Sequence, residues 1–83
     1  MRYTVVWTQY ALDALADAWI QASDRAAVTS ASDPVDPELE VNPDSKGVDF
    51  YGDRLLVVDS FLHVIFRVEP PKLRVTVLDV WCI

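Results

Sequence analysis

Residues 54–81 read RLLVVDSFLHVIFRVEPPKLRVTVLDVW, and the fold of the chain turns on how this stretch is parsed. Val, Ile, Leu and Phe dominate it, and these residue types suit a pleated, half-buried surface. Two short interruptions divide it, Asp59-Ser60 and Glu69-Pro70-Pro71-Lys72. Three strands are therefore expected, Arg54–Val58, Phe61–Val68 and Leu73–Trp81. Connections this short make them an antiparallel meander. In the middle strand, alternation sets Leu62, Val64, Phe66 and Val68 against Phe61, His63, Ile65 and Arg67. In the last it sets Leu73, Val75, Val77 and Trp81 against Arg74, Thr76, Leu78 and Val80.

Upstream the periodicity changes. Arg2 to Trp7 alternates, with Tyr3, Val5 and Trp7 on one side, and reads as a first strand. Thr8 is placed to cap a helix over Gln9–Ala22, because its hydroxyl can accept from an unpaired amide of the first turn. Leu12, Leu15, Ala16, Trp19 and Ile20 form the apolar stripe of that helix, with Asp13 and Asp17 on the wet side. Ser23-Asp24 begins a second helix, whose stripe of Val28, Ala31, Val35 and Leu39 crosses Pro34 and Pro37. Each proline removes an amide donor and crowds the preceding turn. The second helix is thus expected to end near Asp33, followed by a short irregular or helical piece to Val41. Asn42-Pro43-Asp44-Ser45-Lys46-Gly47 is a turn-rich connector. The order is β-α-α-β-β-β, an α+β fold with a helical hairpin on a small, mainly antiparallel sheet.

With 83 residues, 52% of them hydrophobic and 24% charged, residues 1–83 are expected to form one globular domain. One cysteine, Cys82, makes no internal disulfide, and the start MRYTVVWTQY lacks the apolar core of a leader peptide. The longest apolar runs are strand-sized, so no membrane association is expected and the cytoplasm is the default compartment. A net charge of −6 disfavours binding of nucleic acid by charge alone, since phosphates are neutralised by clustered Lys and Arg. Five of the seven basic residues (Lys46, Arg54, Arg67, Lys72, Arg74) lie in the second half, which leaves room for a local basic patch.

The element order resembles that of the RelE/ParE superfamily of bacterial type II toxins. YTVVWTQYALDALADAW is similar to the family's strand leading into an Ala/Leu-rich helix, and NPDSKG resembles its Asn-Pro-x-x-x-Gly connector. GDRLLVV, LHVIFRVE and VTVLDVW are similar to its C-terminal meander. The resemblance implies a toxin neutralised by a cognate antitoxin laid across it. It also implies one of two targets, messenger RNA in the ribosome or DNA gyrase. RelE-like members continue after the last strand with a basic tail and often a Tyr, where this sequence has Trp81-Cys82-Ile83.

Metal-free RNA cleavage needs a base for the 2′-hydroxyl, an acid for the leaving oxygen and a cation for the phosphate. The resemblance places Arg54 near the family's basic position on its second strand and His63 where RelE-like members carry an arginine. With Arg67, four residues along on the same face, these are the catalytic candidates, His63 as acid or base and an arginine as phosphate clamp. Lys46 is a remoter one. Each has a plainer alternative. His63 can be a half-buried sheet residue satisfied by a neighbour, and Arg54 and Arg67 can pair with Asp53, Asp59 or Glu69. Trp7, Trp19 and Trp81 are expected to pack in the core, and Cys82 to be a strand thiol. No metal-ligand spacing or phosphate loop is present, and no cofactor is expected. The competing function is a catalytically inactive or engineered toxin-like binding module that keeps only fold and partner interface. Self-association through exposed apolar strand ends at Trp81 and Ile83 would make it a homodimer.

Overall fold

The computed structural model describes residues 2–83. The elements run β1 (Thr4–Trp7), α1 (Gln9–Gln21), α2 (Arg25–Ser32), α3 (Val35–Glu40), β2 (Val48–Phe50), β3 (Asp53–Val58), β4 (Leu62–Glu69) and β5 (Arg74–Cys82). All five strands form one sheet in the order β1-β5-β4-β3-β2, and the helices cover one of its faces. β1 pairs in parallel with β5, while the other three pairings are antiparallel.

Local chemistry explains most of these boundaries. The Thr8 hydroxyl accepts from the Ala11 amide at 3.0 Å, closing the start of α1. Asp24 does the same for α2, accepting from Ala27 at 3.1 Å. The helix that begins there breaks at Asp33-Pro34, and six residues of α3 follow. The apolar stripe survives the break: Val28, Ala31, Val35 and Leu39 are all buried. A backbone hydrogen bond from the Tyr3 amide to the Glu40 carbonyl (2.8 Å) and a side-chain one from Trp7 Nε1 to Asp36 Oδ1 (2.7 Å) tie α3 to β1 and the residue before it.

The structure departs from the sequence expectations in four places. First, β2 is an additional strand, joined to β3 through Tyr51-Gly52 with φ of 51° and 89°. Positive φ at both central residues is the hairpin turn that matches strand twist.

Second, the alternation in β5 slips. Ile65 pairs with Asp79 but Phe66 pairs with Val77, so Leu78 is an extra residue in a β-bulge. Beyond the bulge the faces exchange. Val80 is therefore buried at 2% exposure, and Trp81 lies on the open face instead of in the core.

Third, α1 meets the sheet through Ala11 and Leu15, with Ala14 and Ala18 beside Val80 and Cys82. Its larger side chains turn away: Leu12, Trp19 and Ile20 are 47%, 42% and 58% exposed. A small-residue side lets a helix approach a sheet closely, and the bulky stripe is left facing α2. Fourth, Trp19 is exposed, whereas Trp7, half-buried, packs against the core as expected.

Candidate functional site

The face of the sheet away from the helices is where the sequence places His63 and Arg67. Residues directly opposite on adjacent strands share a face, so the register maps this surface. Leu55 lies opposite Ile65 and Val57 opposite His63. His63 is in turn opposite Trp81, Ile65 opposite Asp79, and Arg67 opposite Thr76. The same face continues onto β1, where Val6 pairs with Thr76 and Thr4 with Arg74.

The three catalytic candidates are not brought together. Arg54 pairs across the sheet with Phe66, a fully buried residue on the helical face. Its guanidinium donates to the carbonyls of Lys46 (2.8 Å) and Gly47 (3.0 Å), fastening the connector onto the sheet. Lys46 pairs with Glu38 of α3 at 2.9 Å. His63 and Arg67 do share the open face, but they stand four positions apart along the strand, about 13 Å. Ile65, only 7% exposed, stands between them.

Each group is also engaged. The Arg67 guanidinium is held by both carboxylate oxygens of Asp53, at 2.8 and 3.3 Å. That hydrogen bond and the charge of Asp53 raise its pKa above the ordinary arginine value. Glu69 accepts from Arg74 at 3.0 Å and from the Thr76 hydroxyl at 2.9 Å, and lies 3.5 Å from Lys72. These bonds, Arg74 first, lower its pKa to about 2, against the opposing effect of burial. His63 stacks on Trp81 with centroids 5.3 Å apart and planes 19° from parallel, and its Nδ1 lies 3.2 Å from the Phe61 carbonyl.

Three cations (Arg67, Lys72, Arg74) thus meet two carboxylates (Asp53, Glu69) on and around this face, and Asp79 lies on it opposite Ile65. A phosphate would have to displace an internal partner from each arginine and approach Asp79. The arrangement gives an apolar centre of Leu55, Val57, Ile65 and Trp81 with ion-paired margins, a surface for contact more than for proton transfer. Cys82 belongs to the opposite face, and burial pushes its thiol upward, away from nucleophilic thiolate. No helix among the described residues is long and apolar enough to cross a membrane.

No protein-family model and no curated protein matches the sequence. Among solved structures, a chain of the RelBE2 toxin–antitoxin complex from Mycobacterium tuberculosis superposes with a TM-score of 0.77 at 16% identity, covering 100% of this chain and 93% of that one. A chain of the chromosomal ParDE toxin–antitoxin system from P. aeruginosa superposes with a TM-score of 0.68 at 15% identity, covering 99% and 97%. The whole chain has the RelE/ParE-like α+β fold.

Proposed function

We propose that this protein is the toxin component of a toxin–antitoxin pair, and that it acts by binding a protein target and not by cutting RNA. Full-length likeness to chains of two toxin–antitoxin complexes supports the first half. The observation that carries the second is the open face, where Arg67 and Arg74 are each held by an internal carboxylate and Arg54 is on the other side. A phosphate clamp requires unpaired cations within reach of an acid–base group. Of the two targets implied by the resemblance, this arrangement favours gyrase, a protein, over ribosomal messenger RNA. The partner on this reading is a cognate antitoxin.

Induced expression in a bacterial host tests it. Growth arrest is expected, retained in His63→Ala and Arg67→Ala and relieved when the antitoxin is co-expressed. Undiminished growth at high soluble yield would remove the toxin assignment, and loss of arrest in His63→Ala at normal yield would restore the nuclease.

A further inference from the structure

Besides the groove where Leu12, Trp19 and Ile20 of α1 face Val28 of α2, the surface has a second apolar area, the open face of the sheet. An antiparallel sheet with one solvated face ordinarily carries polar side chains there. Here Val48, Leu55, Val57, Ile65 and Trp81 follow one another across β2, β3, β4 and β5, and Val6 extends the face onto β1. Val6, Val48 and Val57 are exposed. An isolated apolar side chain on a surface is ordinary, but a contiguous patch marks a surface that another molecule covers.

The distribution of charge selects the occupant. Residues 9–40, which form the helices, contain seven carboxylates and one cation, so this layer carries −6. The rest of the chain contains six carboxylates and six cations, so the sheet side is neutral. Two copies meeting through their helices would set −6 against −6. Meeting through their open faces puts the acidic layers on opposite outer sides. The open face also complements itself when turned end for end. At one end Arg67 is 57% exposed over Asp53 at 20%, and Lys72 is 63% exposed over Glu69 at 23%. Cations therefore form the outer surface there, and with Arg74 they outnumber the carboxylates three to two. The other end, at the β3–β4 turn, carries the exposed Asp59, and Asp79 lies between the two. Among the described residues, neither of these aspartates is in an ion pair.

From this we infer that the open face is covered by the open face of a second copy, in a two-fold dimer with the strands reversed. Apolar centre lies on apolar centre, and the Arg67–Lys72 end of each copy lies over the Asp59 end of the other. A two-fold pair uses one patch twice, so each such contact is made twice. β4 has eight residues, about 27 Å, and five strands about 4.8 Å apart span about 24 Å. The footprint is thus at most about 650 Å² per copy, near the lower limit of specific interfaces, and a reversible dimer is expected. Another protein would cover the apolar centre as well, but the opposite charges that the two ends require are those the face itself presents. A protein target engaging this face would compete with the second copy.

Sedimentation equilibrium of the intact protein over about 1–200 μM tests this, because the dimer fraction follows concentration. A reversible monomer–dimer equilibrium is expected. Val57→Glu puts a charge into the apolar centre and should weaken the dimer about tenfold or more, while Ile20→Glu on the helices should leave it unchanged. Asp59→Lys should weaken it about fivefold at low salt. The double variant Asp59→Lys/Lys72→Glu restores opposite charges across the pair and should recover most of that loss. Circular dichroism checks that each variant folds. A monomer at the highest concentration would leave the face to a different protein and overturn the inference. So would a dimer indifferent to Val57→Glu, as pairing through strand edges gives, a dimer lost in Ile20→Glu, or no recovery in the double variant. Growth arrest does not enter this assay, so failure here is separable from failure of the toxin assignment.

Discussion

Arg54 and Arg67 are both arginines on neighbouring strands of one small sheet, yet they do different work. Arg54 holds two carbonyls of the connector from a partly buried position, and hydrogen bonds from charged donors contribute about 1.5–3 kcal/mol each. Arg54→Ala is expected to cost about 2–3 kcal/mol in urea denaturation, whereas Arg67→Ala, at an exposed ion pair, should cost less than about 1 kcal/mol. Glu69 offers a test by pH. Its folded pKa of about 2 lies below the ordinary 4.5, so its contribution is present above 4.5 and lost as pH falls through 2. Glu69→Gln should therefore lower Tm at neutral pH, and the gap between the two proteins should close between pH 4.5 and 2. A gap that stays constant with pH would mean that the Arg74 and Thr76 contacts do not form in solution. The sequence allowed an ion pair between Arg67 and Asp53 as one option among three, but it could not say that Arg54 faces the helices. That depends on register, which a single residue's neighbours in the chain do not encode.

Elements were legible where a pattern ran long enough. Alternation over β4, helical spacing in α1, and prolines ending α2 all have local causes, and the structure shows each. The three residues of β2 are too short to display a period, and only Gly52 marks its hairpin turn. The bulge at Leu78 changed more than β2 did: one extra residue moved Val80 into the core and Trp81 out onto the open face beside His63. No composition signal announces such a slip, because both faces of β5 carry apolar residues. Turn chemistry at this scale is testable. Ser60 has φ of 63° at the β3–β4 turn, a conformation that costs an L-residue about 1–2 kcal/mol. Ser60→Gly should raise stability by about 0.5–1 kcal/mol. Gly47→Ala should do the opposite, by about 2 kcal/mol or more, since φ is +66° and an added Cβ would lie 2.2 Å from the Leu55 carbonyl oxygen.

For the molecule as a whole, the two faces of the sheet divide the labour. The covered face holds the core, and Leu39→Ala within it should cost about 2–5 kcal/mol by equilibrium denaturation. The helical layer carries the net charge and an apolar groove. The open face carries paired ions around an apolar centre. Charge balance, read from composition alone, gave the acidic total but not its confinement to residues 9–40, which matters only once those residues are seen to form one layer. The resemblance to RelE/ParE toxins reached the fold correctly, because that fold is set by element order. The chemistry of a site depends on which side chains meet, and here the candidates Arg54, His63 and Arg67 do not.

The proposed toxin activity without RNA cleavage is best tested by a map of messenger RNA 5′ ends in cells during induced expression. Growth arrest is expected with 5′ ends unchanged from the uninduced culture. New 5′ ends within codons, appearing with the arrest and abolished by His63→Ala or Arg67→Ala, would contradict it.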